Sequence, residues 1–238
     1  MGEGQLRIPF EQRVRGKFLY ATNVAHPAVY SESVLPALAS FVGPEHEVIL
    51  DPFGGVGKVH RLPAIVGWPM KTIAVEIEPE WANCHPGTLI ADALHLPFRD
   101  ETFDAVVTSP TYGNRMADSH DAEDGSIRRS YTHDLGRKLT PGNSGSLQWG
   151  DRYRMFHTEA WHEAYRVIRP AGRLVLNISD HIRAKRRQYV ASWHTECLIR
   201  LGFALAAAIS VATSRHREGA NSAARVDSEF VLAFDKTA

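Results

Sequence analysis

An acidic residue stands directly ahead of a glycine-rich turn in the stretch Val48–Lys58, whose sequence is VILDPFGGVGK. The apolar run before Asp51 predicts a short buried strand, and a helix is predicted from Val59 to Val66. A strand, a glycine turn and a helix in this order bring backbone close to a cofactor at the carboxyl end of a sheet. Asp51 would repel a phosphate and attract a cation there, which argues against the pyrophosphate of a dinucleotide.

The charge at Asp51 suits S-adenosylmethionine (SAM), which carries a sulfonium and an ammonium group and no phosphate. The stretch also resembles the D-P-F-x-G-x-G signature of SAM-dependent nucleic-acid methyltransferases. This resemblance implies cofactor contacts from Asp51, Phe53, Gly54, Gly55 and Gly57. A glycine turn of this kind is also compatible with an ordinary tight turn, so the neighbouring motifs must decide.

Two further acids follow predicted strands. Glu76 ends the strand predicted over Lys71–Glu76, close to the distance from Asp51 at which α/β cofactor folds supply a carboxylate to ribose hydroxyls. The run V-E-I-E-P-E-W resembles a segment of the same methyltransferases and favours Glu76, with Glu78 as the alternative ligand. A third strand is predicted over Thr88–Ala93. The resemblance implies that its end, at Asp92 and Ala93, contacts the adenine.

The segment His26-Pro27-Ala28 precedes a helix that is predicted to run from the N-cap Ser31 to about Val42. It resembles the segment that DNA amino-methyltransferases and tRNA guanine-N2 methyltransferases place against the methionine end of SAM. The resemblance implies that His26 and Pro27 bind the cofactor. A solvated turn ahead of a helix is the simpler interpretation of the same residues.

The run Ser109-Pro110-Thr111-Tyr112 follows a strand predicted over Phe103–Thr108. It resembles the [D/N/S]-P-P-[Y/F/W] catalytic motif of methyltransferases that act on exocyclic amines of bases. By this resemblance, the Ser109 oxygen and the Pro110 carbonyl accept the two N–H bonds of the amine, and Tyr112 stacks on a flipped base. Thr111 replaces the second proline of the motif, which leaves the rigidity of the turn and the identity of the target open.

Two segments are candidates for contact with nucleic acid. The polar stretch 113–150 is predicted to be an inserted substrate-recognition loop, with a floppy insertion as the alternative. The basic run ending at Arg187 is either a phosphate-binding surface or the solvated start of a helix that reaches Leu201. The residues expected to contact nucleic acid are Asn114, Arg115, Arg128, Arg129, Arg183, Lys185, Arg186 and Arg187.

The composition limits the remaining choices. The 238 residues fit one methyltransferase domain over 1–238, with residues 1–23 as an N-terminal extension. With 27 basic and 27 acidic residues the formal net charge is zero, so attraction to nucleic acid would have to be local. The two cysteines lack metal-ligand spacing, and no metal site is expected. The chain shows neither a signal-peptide core nor a membrane-spanning run, which predicts a cytoplasmic protein without a membrane partner.

Alternation of predicted strands and helices, ending in two strands joined by a loop too short for a crossover helix, predicts an α/β fold with an antiparallel last strand. The resemblance implies a Rossmann-like methyltransferase with a seven-stranded sheet. It also implies SAM-dependent methylation of an exocyclic amine of a DNA base, N4 of cytosine being favoured over N6 of adenine by the motif serine. The alternatives are a tRNA guanine-N2 methyltransferase and a non-catalytic module that binds SAM or nucleic acid. The oligomeric state stays open.

Overall fold

The computed structural model describes residues 12–14, 17–19, 26, 33–113, 130–183, 185–213 and 226–237 of the chain. Several residues singled out in the sequence lie outside the described residues, namely Pro27, Ser31, Asn114, Arg115, Arg128 and Arg129.

Strands and helices alternate along most of the described chain. The strands are β1 (Gln12–Val14), β2 (Lys17–Leu19), β3 (Val48–Asp51), β4 (Lys71–Glu76), β5 (Thr88–Ile90), β6 (Phe103–Thr108), β7 (Ile168–Ile178), β8 (His181–Arg183), β9 (Arg186–Gln188), β10 (Phe203–Ala212) and β11 (Ser228–Lys236). The α-helices are α1 (Val34–Ala39), α2 (Leu62–Val66), α3 (Pro79–Ala82), α4 (Tyr131–Leu135), α5 (Asp151–Val167) and α6 (Val190–Arg200). Short 3-10 helices cover Lys58–Arg61 and Ser144–Ser146.

A seven-stranded sheet in the order β10-β11-β7-β6-β3-β4-β5 forms the centre of the molecule. The pairs from β7 to β5 are parallel, whereas β11 is antiparallel to both β7 and β10. The predicted sheet, mostly parallel with an antiparallel last strand, is confirmed. Because the parallel strands all end at the same edge, the acids and motifs that follow β3, β4 and β6 meet there.

The two faces of the sheet bury alternate residues of each central strand, as the two-residue period of a strand requires. On β3, Leu50 packs in the layer formed by α5 and α6, and Ile49 packs in the layer formed by α1 and α2. Trp161 on α5 and Leu38 on α1 are among the fully buried side chains of these layers. The sheet edge that carries the motifs therefore rests on a core packed on both sides.

Two elements differ from the prediction. The basic run at 183–187 is a hairpin of β8 and β9 rather than the start of a helix, and α6 begins only at Val190. The physical reason is the buried carboxylate of Asp180, which accepts a hydrogen bond from the backbone N–H of Ala191 at 3.0 Å and another from Arg187 at 2.8 Å. Asp180 thus satisfies a donor of the first helical turn, while Lys185 turns the chain back with a φ of 60°.

Strand ends differ from the prediction by a few residues. Strand β5 stops at Ile90, before Asp92 and the predicted strand end at Ala93, and β7 begins at Ile168. The irregular start of β7 contains Ala171 with a φ of 59°, and the pairing with β6 shifts register between Ile168 and Arg173. A strand with an irregular register lacks the two-residue hydrophobic period from which strand bounds are predicted.

Candidate active site

The glycine turn after β3 lies against the end of β4. The backbone N–H of Gly54 donates to the carbonyl of Val75 at 2.8 Å. A Cβ at residue 54 would lie 2.7 Å from the Cβ of Ala74, so only glycine allows this approach. Gly55 and Gly57 have φ values of 51° and 82°, in the left-handed region that glycine tolerates best. The turn is thereby held close against the sheet edge, and its residues from Gly54 to Gly57 are buried.

Asp51 is buried at the end of β3, next to this turn. Its Oδ1 accepts hydrogen bonds from the backbone N–H of Phe53 at 3.0 Å and from the hydroxyl of Thr108 at 2.6 Å. Thr108 ends β6 and immediately precedes Ser109. The carboxylate therefore connects the glycine turn to the start of the Ser109–Tyr112 turn, and it places a negative charge between them.

Glu76 ends β4 and reaches back to the glycine turn. Its Oε2 accepts from the backbone N–H of Gly55 and its Oε1 from that of Glu78, each at 2.9 Å. Burial raises the pKa of Glu76 to about 7, although the two backbone donors oppose this effect. The backbone of Ile77 also bonds this carboxylate, and since a carboxylate has about four acceptor sites, Glu76 can still accept from a ribose hydroxyl.

His26 lies beside the same turn. A Cβ added at Gly55 would lie 3.2 Å from the Nε2 atom of His26, so residue 55 must be small. The imidazole packs edge-on against Trp81, with 4.3 Å between ring centroids, and against Tyr131. The structure thus brings His26, Gly55 and Glu76 together, as the sequence predicts for residues of one cofactor site.

Asp92 lies beyond the end of β5, and its Oδ1 accepts from the backbone N–H of Leu94 at 2.9 Å. Its Oδ2 lies near Gly142, where an added Cβ would come within 3.9 Å. The same Cβ would lie 3.7 Å from the Cδ1 atom of Ile77. Asp92 and Ile77 therefore lie next to a segment from the polar stretch 113–150, and Ala93 follows Asp92 in the chain.

That segment, Arg137–Gly145, is held by the carboxylate of Glu78 and is called here the anchored segment. Glu78 is fully buried and accepts from Arg137 Nη2 at 2.6 Å, from the Thr140 backbone N–H at 2.8 Å and from Asn143 Nδ2 at 2.7 Å. Its oxygens are occupied by the protein, whereas those of Glu76 face the glycine turn. Part of the polar stretch is thus folded over the carboxyl end of β4.

A polar network surrounds the turn after β6. The hydroxyl of Tyr112 donates to Oε2 of Glu229 at 2.9 Å and lies 3.0 Å from the hydroxyl of Ser109. Asn177 Nδ2 lies 2.7 Å from Tyr112 Oη, 2.7 Å from Glu229 Oε2 and 3.2 Å from Ser109 Oγ. Asn177 is buried on β7, and Glu229 is half-buried on the antiparallel β11. Strand β7, which pairs with β6, and strand β11, which pairs with β7, thus each contribute a group to this network.

Thr111 is held on both sides. Its hydroxyl donates to the carbonyl and hydroxyl of Ser144 in the anchored segment, at 3.3 and 3.1 Å. Its carbonyl accepts from the hydroxyl of Tyr153 at 2.6 Å. Tyr153 contacts His194 Nε2 at 2.9 Å, and Trp161 Nε1 donates to His194 Nδ1 at 2.9 Å. Hydrogen bonds thus fix a turn that lacks its second proline.

The donor and acceptor roles in the hydrogen bonds from Trp161 through His194 and Tyr153 to Thr111 follow from the indole N–H. The indole N–H only donates, so Nδ1 of His194 accepts and Nε2 carries the proton that it donates to Tyr153. Burial, together with nearby His157, lowers the pKa of His194 well below its ordinary value. Burial also raises the pKa of Tyr153 well above 10. Both groups are therefore neutral at neutral pH, and the chain ends at the Thr111 carbonyl.

The basic hairpin lies near the same turn. Arg183 donates to the carbonyl of Trp149 at 3.1 Å, and the backbone N–H of Trp149 donates to the carbonyl of Gly113 at 3.1 Å. Arg187 is bonded to Asp180. All four basic residues predicted here are exposed, and Arg183 and Arg187 also have partners within the protein.

Sequence reasoning did not identify Asn177, Glu229, Tyr153 or His194. Asn177 had a signal, since it is a polar residue in the otherwise apolar run Leu174–Ile178 of a buried strand. Glu229 follows a polar loop and Tyr153 and His194 lie on amphipathic helices, so their partners depend on tertiary packing. Among the described residues, no group of three or more His, Cys, Asp or Glu side chains is placed to hold a metal, and no helix there is long and apolar enough to cross a membrane.

No protein-family model and no curated protein matches the chain. Solved structures do match. A complex of the Haloferax volcanii Trm112 methyltransferase activator with a protein described as a methyltransferase is 13% identical, with 87% of this chain and 89% of that chain covered and a TM-score of 0.54. The Burkholderia thailandensis 1,6-didemethyltoxoflavin-N1-methyltransferase, with bound S-adenosylhomocysteine, is 13% identical over 87% and 80% of the two chains, with a TM-score of 0.50.

A third match is TrmN from Thermus thermophilus, at 17% identity and a TM-score of 0.47 over 85% of this chain. This chain spans 47% of the length of that structure. The sheet order and the structural matches show that the fold is the Rossmann-like fold of SAM-dependent methyltransferases. The site fits SAM, since the Asp51 carboxylate lies beside the glycine turn and the Glu76 carboxylate ends the neighbouring strand at the same sheet edge.

Proposed function

We propose that the protein is a SAM-dependent methyltransferase that acts on the exocyclic amine of a DNA base. The observation that carries the proposal is the position of Ser109. It follows Thr108, whose hydroxyl is bonded to Asp51, so the expected amine acceptor stands next to the expected cofactor charge. The sequence resemblance to DNA amino-methyltransferases supports this class of substrate.

SAM supplies an electrophilic methyl group, and the protein must make the amine a nucleophile. The lone pair of an exocyclic amine is delocalised into the base, so acceptors that hold its two N–H bonds favour a tetrahedral nitrogen. Ser109 Oγ and the Pro110 carbonyl are the two acceptors in the proposal. Tyr112, half-buried with its hydroxyl fixed by Glu229, would offer its ring to the face of a flipped base.

The exposed cations of the hairpin support a nucleic-acid substrate. Lys185 and Arg186 lie on the element whose Arg183 is bonded to Trp149, and Trp149 is bonded to Gly113 at the catalytic turn. A nucleic-acid strand that delivers a base to Ser109 would therefore pass within reach of these charges. Serine at the head of the motif favours cytosine over adenine.

The test is methyl transfer from labelled SAM to double-stranded DNA, single-stranded DNA, tRNA and free nucleosides, with the product digested and identified by mass spectrometry. We expect an N-methylated base from DNA, with N4-methylcytosine favoured. N2-methylguanine from tRNA alone would instead support the guanine-N2 alternative. Binding of SAM and DNA without any transfer would support the binding module, and methylation of a ring carbon or a hydroxyl would contradict the amine mechanism.

Substitution of the acceptor tests the site. Ser109→Ala removes an oxygen that matters most as the nitrogen becomes tetrahedral, so kcat should fall by roughly 10²–10³-fold while SAM affinity changes little. Ser210→Ala is the matched control, because Ser210 is an exposed serine on the edge strand β10. Unchanged kcat in Ser109→Ala would remove Ser109 from the mechanism.

A further inference from the structure

The hydrogen bonds around Tyr112 have a defined direction. A carboxylate only accepts, so the single Tyr112 hydroxyl proton is directed to Glu229, as the 2.9 Å bond indicates. In the 3.0 Å contact between Ser109 and Tyr112, the proton must then belong to Ser109. Asn177 donates toward the same oxygens and fixes their positions. Ser109 thus keeps a lone pair for a substrate N–H.

From this geometry we infer that Glu229 is the final acceptor of the proton that the methylated amine loses, through Ser109 and Tyr112. The inference rests on the proposed function, because it takes Ser109 as the group that touches the amine. Glu229 itself touches no substrate in this scheme. It is a positioning residue that acts through Tyr112, and nothing in the sequence motif marks it.

The amine nitrogen forms a bond to the methyl carbon as the carbon–sulfur bond of the cofactor breaks, which leaves the nitrogen with one positive charge and one proton too many. That proton passes to Ser109 Oγ, the Ser109 proton passes to Tyr112 Oη, and the Tyr112 proton passes to Glu229. Glu229 then releases the proton to solvent, since its side chain is only half-buried.

A carboxylate that accepts a proton must be ionised, so the relay predicts an acid limb in the pH profile of kcat. The ionisable groups of the elements packed around Glu229 are few among the described residues. Tyr112 is bonded to it, Asp180 follows β7 but is bonded to Arg187 and Ala191, and Asp227 precedes β11 as an exposed acid. Strand β10, which pairs with β11 at Val211, contains no ionisable side chain.

The test compares Glu229→Gln, Tyr112→Phe and the double variant with the wild-type chain. Each single variant should lower kcat by roughly 10²-fold, the low end of the effect of an acid–base group, and should lose the acid limb of the profile. The double variant should be no slower than either single variant, because both break one chain. SAM affinity should be unchanged, and Asp227→Asn, which removes a nearby exposed carboxylate, should behave as wild type.

Several outcomes would overturn the inference. Glu229→Gln with wild-type kcat or an intact acid limb would do so, as would additive effects in the double variant. If Glu229→Gln does not fold, Glu229→Asp and Tyr112→Phe carry the test, the former recovering part of the activity and keeping the acid limb. If a relay variant still makes an N-methylated base with an unchanged pH profile of kcat, the inference is wrong and the proposed function is not affected. If the wild-type chain methylates an atom other than an exocyclic nitrogen, the proposed function is wrong as well.

Discussion

Glu76 is the residue at which the chemistry of cofactor binding depends most on pH. Its pKa of about 7 arises from burial, and the ordinary value is 4.5. Below pH 7 the carboxyl is protonated, so one of its oxygens becomes a donor and can no longer accept from a ribose hydroxyl. SAM affinity should therefore increase as pH rises from 6 to 8, which calorimetry at several pH values would measure.

The matched variants make this prediction specific to Glu76. Glu76→Gln should bind SAM more weakly by on the order of 1.5–3 kcal/mol at pH 8, the scale of a charge-assisted hydrogen bond, and its affinity should be flat between pH 6 and 8. Glu159→Gln, on the exposed face of α5, should bind as wild type. A wild-type affinity that does not change over this range would show that Glu76 is not the ribose ligand.

Among individual residues, sequence reasoning identified those that end a strand. It missed residues whose hydrogen-bond partners lie far away in the sequence. Asp51 and Glu76 terminate β-strands, so their meeting at one edge follows from a parallel sheet. Glu229 is different. Its contact with Tyr112 joins residues 117 positions apart across β7, and depends on where the antiparallel strand begins.

Among the elements, the anchored segment Arg137–Gly145 links the two halves of the site. Glu78 holds the segment through Arg137, Thr140 and Asn143. Ser144 accepts a hydrogen bond from Thr111 in the turn after β6. A proline at residue 111 could not donate this bond, so the departure from the motif has a structural partner. These contacts are not local in the sequence, since Glu78 and Asn143 are 65 positions apart.

Weakening the anchor should reduce cofactor affinity. Arg137 bridges Glu78 and Glu80, and its removal leaves the buried Glu78 carboxylate with fewer donors. Because Gly142 lies against Ile77 and Asp92, a looser segment should raise the Kd for SAM in Arg137→Gln by roughly tenfold, about 1.4 kcal/mol. Titration of the variant by calorimetry measures this change.

Arg173→Gln is the control for Arg137→Gln. It also breaks an arginine–carboxylate pair of similar exposure, with Asp235, but β7 and β11 carry that pair away from the carboxyl edge of the parallel strands. The control should lose some thermal stability and keep its SAM affinity. Equal Kd values of the two variants for SAM would show that the anchored segment does not contribute to SAM affinity.

Most elements of the fold were predictable, because long periodic runs determine them. Strands β4 and β6 have the predicted bounds. The hairpin at Arg183–Arg187 was not predictable from its charges. A run of basic residues is compatible with a helix or a hairpin, and here Asp180 decides between them by binding both Arg187 and the start of α6.

For the whole molecule, a net charge of zero means that any attraction to a nucleic acid must come from local charge. Among the exposed basic residues of the hairpin, Arg183 donates to the Trp149 carbonyl and Arg187 neutralises the buried carboxylate of Asp180. Neutralising Arg187 would leave the buried Asp180 carboxylate without its cation. The variant would then lose stability, and a change in DNA binding could not be assigned to the lost phosphate contact. The informative variant therefore changes Lys185 and Arg186 and leaves Arg187 in place.

The double variant Lys185→Gln/Arg186→Gln should bind DNA with a weaker dependence on salt. Each phosphate contact on duplex DNA contributes about 0.9 to the slope of log K against log salt, so the slope should decrease in magnitude by up to about 2. Fluorescence anisotropy at several salt concentrations measures it. The control Lys71→Gln/Arg99→Gln removes one exposed lysine and one exposed arginine, with Lys71 at the start of β4, on the opposite edge of the sheet from the catalytic turn. Its slope should equal that of wild type, and a hairpin variant whose slope also equals that of wild type would exclude Lys185 and Arg186 from the phosphate contacts.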